Sequence, residues 1–245
     1  MSTDGDVAGV GNGGTEAMGP GHDGGRGLAA SRVGDVAPDP LSEDPRVERY
    51  LGDAFPVLSR FHALLREQGV LRGLIGPREV SRLWERHLLN SASLVEHLPS
   101  AGTIVDVGSG AGLPGVVIAA LMPEAEVVLL EPMERRSAWL VEVVAELALG
   151  NATVVRGRAE EHHGTMVADA VTARAVAPMD RLARWTLPLL RPGGRLVVLK
   201  GRQAADEIDS ARNVLRKLKA VRTDIMVGET LPGLEPTTVV VVEKA

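Results

Sequence analysis

The stretch Val105-Asp106-Val107-Gly108-Ser109-Gly110-Ala111-Gly112-Leu113-Pro114-Gly115 constrains the fold more than any other part of the chain. An apolar run feeds directly into a glycine-rich turn, and the turn opens a helix of small apolar residues from Gly115 to Leu121. Lacking a Cβ, Gly108, Gly110 and Gly112 let the backbone pass close to a ligand and adopt positive φ. Pro114 suits a helix start, and the amino end of such a helix faces whatever the turn holds. Strand, glycine turn and helix in this order predict a cradle for a nucleotide-shaped ligand.

The same alternation continues to the end of the chain. Short β-branched runs at Thr103–Val107, Glu126–Glu131, Thr153–Arg156, Ala170–Arg174 and Arg195–Lys200 alternate with helical patterns at Arg135–Leu149, Asp180–Leu190 and Ala204–Lys219. This predicts an α/β fold, a doubly wound Rossmann-like and mostly parallel sheet covered on both faces. The run Thr237 to Val242 reads as a final strand.

Ahead of the sheet, Val47, Tyr50, Leu51, Ala54, Val57, Leu58, Phe61, Leu64 and Leu65 recur at helical spacing, and a second helix is expected from Pro77 to about Leu98. Residues 45–100 are read as an N-terminal helical cap and 101–245 as the ligand-binding domain. Residues 1–44 are rich in Gly, Asp, Ser and Ala without periodic apolar positions, which predicts a disordered acidic tail. The tail holds eight acids against two arginines, so the chain's net charge of −5 is concentrated there and the remainder is close to neutral. With no cysteine there is no disulfide, and no apolar run is long enough to cross a bilayer. A soluble cytoplasmic protein is expected.

In a doubly wound sheet, ligands sit outside the carboxyl ends of the strands. That rule selects Asp106, Gly108, Gly110, Gly112 and Leu113 after the first strand, Glu131 at the end of the second, Ala159 and Glu160 after the third, Arg174 ending the fourth and Lys200 ending the fifth. Glu131, 25 positions beyond Asp106, is placed to accept from the hydroxyls of an adenosine ribose. Gly110 to Gly115 also fits the dinucleotide fingerprint, so these residues alone leave NAD and S-adenosylmethionine open. A guanidinium at the end of an apolar central strand is costly unless it faces a carboxylate or phosphate, which marks Arg174 as a functional candidate against a local salt bridge to Asp169 or Glu160. Lys200 either serves the site or reaches solvent. His87 is expected as a hydrogen-bonded core histidine. The pair His162-His163 lacks a third ligand at suitable spacing, so no metal is expected.

Arg86-His87-x-x-x-Ser91, the Val105 to Gly115 stretch, Arg174-Ala175-Val176-Ala177 and Leu199-Lys200-Gly201 together resemble the bacterial ribosomal RNA small-subunit methyltransferase G family, also called glucose-inhibited division protein B. The acid at Asp106 and a last strand running antiparallel are likewise features of class I methyltransferases. The resemblance covers about Val47 to the end. It implies S-adenosylmethionine as cofactor, 16S ribosomal RNA or the small ribosomal subunit as partner, and methyl transfer to N7 of a guanine. It also implies cofactor contacts from Gly108, Leu113, Glu131, Ala159, Glu160 and Arg174. This chain departs from the family at Arg72-Gly73-Leu74-Ile75-Gly76, where many members carry an Asn-Leu-Thr signature. It departs again at Glu235-Pro236-Thr237, where some members are basic. A small-molecule methyltransferase on the same fold, a non-catalytic ribosome assembly factor and a dehydrogenase remain as alternatives.

Overall fold

The computed structural model describes residues 37–245. Its centre is a seven-stranded sheet in the order β3-β2-β1-β4-β5-β7-β6. The strands are β1 (Gly102–Val107), β2 (Ala125–Glu131), β3 (Ala152–Arg156), β4 (Ala168–Arg174), β5 (Leu190–Lys200), β6 (Ala220–Gly228) and β7 (Thr237–Lys244). Strands β1 to β5 pair in parallel, while β7 pairs antiparallel with both β5 and β6. The order reverses between β1 and β4, which opens the crevice at their carboxyl ends.

Composition explains the layering. Residues 104–107 of β1 are buried on both faces, as a central parallel strand requires. One face carries the helix that follows the glycine turn (Gly115–Leu121), whose first five residues are all buried beneath the helices preceding the sheet. Phe61, Leu65 and Leu88 from those helices share one core with Ile104, Val116 and Leu129. The opposite face packs Leu182, Ala211 and Leu215 against Val105, Val171 and Val240.

The two helices expected before the sheet are each subdivided. Helix α1 (Pro45–Leu51), capped by Asp44, ends at Gly52, whose φ of 54° stops the helix before α2 (Phe55–Gln68) begins. The second expected helix passes through 3-10 geometry at Pro77–Arg82, π geometry at Trp84–Leu89 and a short α3 at Asn90–Ala92, followed by a separate turn at Val95–His97. The backbone N–H of Trp84, where the wide turns begin, donates to Asp39 Oδ2 at 2.8 Å. Asp39 and Leu41 are both buried, so packed structure starts within the last residues of the expected tail; its residues 1–36 lie outside the described residues.

The remaining helices are α4 (Gly115–Leu121), with the bounds expected from sequence, and α5 (Glu134–Glu146), α6 (Met179–Thr186) and α7 (Ala204–Lys217), which end before the expected Leu149, Leu190 and Lys219. Strand β6 was not located from sequence. It lies at the sheet edge with Val221, Ile225, Met226 and Val227 exposed, so it carries no clean inside–outside alternation.

Candidate cofactor and substrate site

The glycine turn adopts positive φ at Gly108 (73°), Gly110 (56°) and Gly112 (101°). A Cβ at Gly112 would lie 2.7 Å from the Val116 side chain, and one at Gly108 would lie 3.1 Å from that of Val176. Both glycines are therefore demanded by conformation and by space. Asp106, fully buried, closes the turn from below: Oδ2 accepts from the Gly115 amide at 2.9 Å, while Oδ1 is buried without a partner among the described residues. Burial pushes the Asp106 carboxyl up to about 7, against the pull of its Ser109 and Gly115 neighbours. From the side, the Trp139 indole donates to the Ala111 carbonyl at 3.0 Å, and the Arg72 guanidinium lies 5.1 Å over the Trp139 ring. Leu113 is buried in the core.

Glu131 ends β2 with only 2 % exposure. Its Oε2 accepts from the Gly110 amide and its Oε1 from the Met133 amide, each at 2.9 Å. Oε2 is thus tied to the glycine turn and Oε1 to the segment after β2, with lone pairs left for further donors. Beside them lies a slot of about 140 Å³ lined by Gly108, Leu130, Ala159, Glu160, Val176 and Trp185. Ala159 is buried in its wall and Glu160 is exposed at its mouth. Of the expected residues, Gly108, Ala159 and Glu160 line this slot, while Asp106, Gly110 and Glu131 are joined to it through the glycine turn and the end of β2.

Across the reversal point, Arg174 ends β4 beneath the π-helical turn. Its Nη1 donates to His87 Nδ1 at 2.8 Å and, at 3.3 Å, to the Arg86 carbonyl. Neither Asp169, which pairs with Arg191, nor Glu160 takes it as the local salt-bridge reading required. Burial lowers the Arg174 guanidinium from its ordinary value, while the charges of Asp106 and Glu79 work to raise it. Burial, then the Arg174 charge, brings His87 down to about 4. The imidazole is therefore neutral, and its Nε2 meets Glu79 Oε2 at 3.1 Å. His87 is hydrogen-bonded on both nitrogens, as expected, but it is part-buried and lines the charged cleft beside Arg174 instead of lying in the core.

Arg174 and Lys200 line both lobes of a second cleft. One lobe, about 410 Å³, has mixed walls, with Ala175, Val176, Pro178 and Leu182 facing Asn90 and Glu207. The other, about 520 Å³, is charged, with Glu79, Arg86, Arg202 and Glu235 among its walls. Lys200 does not reach solvent. Its ammonium donates to the Ala177 carbonyl at 2.8 Å and to Glu207 Oε2 at 2.6 Å, with the side chain 9 % exposed.

Sequence reasoning missed Glu79 and Glu207. Glu79 precedes His87 by eight positions across a change of helical geometry, so no periodic signal linked them. Glu207 lies in the first turn of α7, where an acid reads as ordinary helix-end decoration. His163 bonds the Trp185 carbonyl at 3.0 Å. Among the described residues no group of three or more His, Asp or Glu is arranged to hold a metal ion, and no helix is long and apolar enough to cross a membrane.

A doubly wound sheet with an antiparallel closing pair, a glycine turn over a buried acid and a second acid ending β2 defines a Rossmann-like methyltransferase fold. Solved structures agree: an S-adenosylmethionine-dependent O-methyltransferase from Thermotoga maritima superposes with a TM-score of 0.51 at 17% identity, over 68% of this chain and 70% of that one. A predicted O-methyltransferase from Agrobacterium tumefaciens gives a TM-score of 0.51 at 20% identity, over 65% of this chain and 81% of that one. These likenesses show the fold. The family model of GidB, rRNA small subunit methyltransferase G, matches residues 55–231, and the chain belongs to that family. The ribosomal RNA small subunit methyltransferase G of Bifidobacterium longum is 47% identical over 221 residues, covering 84% of this chain and 99% of that protein. Its counterpart from Thermobifida fusca is 53% identical over 175 residues, covering 71% of this chain and 74% of that protein.

Proposed function

We propose that this protein transfers a methyl group from S-adenosylmethionine to N7 of a guanine in 16S ribosomal RNA of the small subunit, in the cytoplasm. The observation that carries this reading is the shared wall at Val176. It lines both the slot beside Glu131 and the lobe beside Arg174, which supports a donor site and an acceptor site adjoining at the switch point.

The residues fit the cofactor. The cradle of Gly108, Gly110 and Gly112 has no room for a side chain at its last glycine and is tight at its first, and the unpartnered Asp106 Oδ1 marks a buried acceptor beneath it. Glu131 would accept from the ribose hydroxyls, Ala159 and Glu160 would face the adenine, and Leu113 would support the turn. Arg174, the remaining proposed cofactor contact, lines the second cleft and not the slot itself. The bound cofactor supplies an electrophilic methyl group on a sulfonium.

Guanine N7 carries a free lone pair and no proton, so the reaction needs no base to unmask the nucleophile. What the chain must supply is position, which is worth several kcal/mol of barrier. Arg174 offers guanidinium donors suited to guanine O6 or a phosphate. Lys200, held by Glu207 and the Ala177 carbonyl, acts as a positioning residue for the loop between β4 and α6. Single-turnover transfer to unmethylated small subunits tests the assignment of Arg174. Arg174→Ala is expected to reduce the rate by a factor of about 100 or more, the scale of losing one charged transition-state contact. A variant with the full wild-type rate overturns the role.

A further inference from the structure

Glu207 has one carboxylate oxygen fully engaged and one free. Oε2 accepts from Lys200 Nζ at 2.6 Å and from the Met179 amide at 2.9 Å. No hydrogen bond among the described residues reaches Oε1, and Glu207 lines the lobe of about 410 Å³ against Ala175, Val176, Pro178 and Leu182. The carboxylate is therefore held in one orientation with acceptor capacity left over at a cavity of mixed polar and apolar walls. Pre-oriented groups of this kind discriminate between ligands, because nothing need be rearranged to use them.

The same lobe is lined by Arg174, which can only donate, so it offers both donors and acceptors. Guanine is a flat ring with acceptors O6 and N7 on one edge and donors N1–H and N2–H on the other. Adenine places an acceptor, N1, where guanine carries its N1–H. A carboxylate oxygen accepts from the guanine edge and repels the adenine one.

We propose that Glu207 selects the target base: its Oε1 accepts from the N1–H and N2 amino group of guanine, and Lys200 and the Met179 amide fix it for that purpose. This deepens the proposed function and rests on it. Sites built to hydrogen-bond a substrate group reject an analogue that lacks it far more strongly than apolar pockets do.

The test is a cycle of protein variant against base. Small subunits are assembled from ribosomal RNA carrying either guanosine or inosine, which lacks the N2 amino group, at the methylated position. Wild-type protein is expected to prefer guanosine over inosine by about tenfold or more in kcat/KM. In Glu207→Gln and Glu207→Asp the preference falls toward one, while S-adenosylmethionine affinity, measured by calorimetry, stays within about twofold and reports an intact fold. Equal losses on guanosine and inosine, with the preference retained, overturn the proposal and leave Glu207 as a support for the loop. A wild-type protein that transfers equally to both bases also overturns it, yet leaves the guanine N7 reading standing. Absence of transfer to guanosine subunits overturns both.

Discussion

Arg174 Nη1 donates to His87 Nδ1 across 2.8 Å, joining the end of β4 to the π-helical turn. Arginine has no acceptor, so Nδ1 must be the unprotonated nitrogen and Nε2 carries the proton toward Glu79 Oε2. The chain Arg174, His87, Glu79 thus sets the imidazole tautomer and holds the guanidinium at the cleft by Nη1, with no hydrogen bond among the described residues at Nε or Nη2.

That arrangement has a pH signature. His87 falls from an ordinary value of 6.5 to about 4 in the folded protein. Between those values the unfolded chain binds more protons, so the His87 contribution to stability is intact above pH 6.5 and is lost as pH falls toward 4. The shift corresponds to roughly 3 kcal/mol. Urea unfolding of wild type and His87→Gln at intervals from pH 7 to 4 should show the gap moving by up to that amount in the variant's favour. Asp106, raised by burial, contributes a slope of opposite sign to both proteins and cancels in the difference. A gap independent of pH contradicts the neutral, acceptor imidazole.

Glu131 serves the glycine turn and the proposed ribose contact at once. Glu131→Ala removes the acceptor for the Gly110 and Met133 amides as well as for ribose. The expected loss in S-adenosylmethionine affinity is about 1–3 kcal/mol, read by calorimetry. Unchanged affinity would place the ribose elsewhere.

Gly115 leaves no space for even a methyl group. A Cβ there would meet the Leu129 side chain and lie 2.6 Å from Asp106 Oδ2. Gly115→Ala should therefore destabilise the fold by about 1–3 kcal/mol through overpacking, although alanine is the better helix former. A denaturant midpoint equal to or above that of wild type would show that α4 shifts without cost.

The sheet and the glycine turn of the candidate site were legible because their constraints act locally. Val105, Val107 and the three turn glycines sit in a central strand and its loop, where burial and positive φ each permit few residue types. Glu131 and Arg174 could be read as strand ends once the sheet was inferred. The substrate side was harder. Glu79, His87 and Arg174 meet only through tertiary packing, and the partner of Lys200 became visible only when α7 was placed over the loop after β4. Spacing likewise gave no warning of the π geometry at Trp84–Leu89, since its opening amide is taken by Asp39, 45 positions away. Strand β6 escaped because an edge strand with exposed apolar residues lacks the alternation by which strands are recognised.

The central claim is tested most directly by incubating the pure protein with labelled S-adenosylmethionine and unmethylated small ribosomal subunits, then mapping the label by chemical cleavage at N7-methylguanine. The account predicts one labelled guanine in 16S ribosomal RNA. Measurable cofactor binding with no label in that RNA, or label on another atom or base, would contradict it.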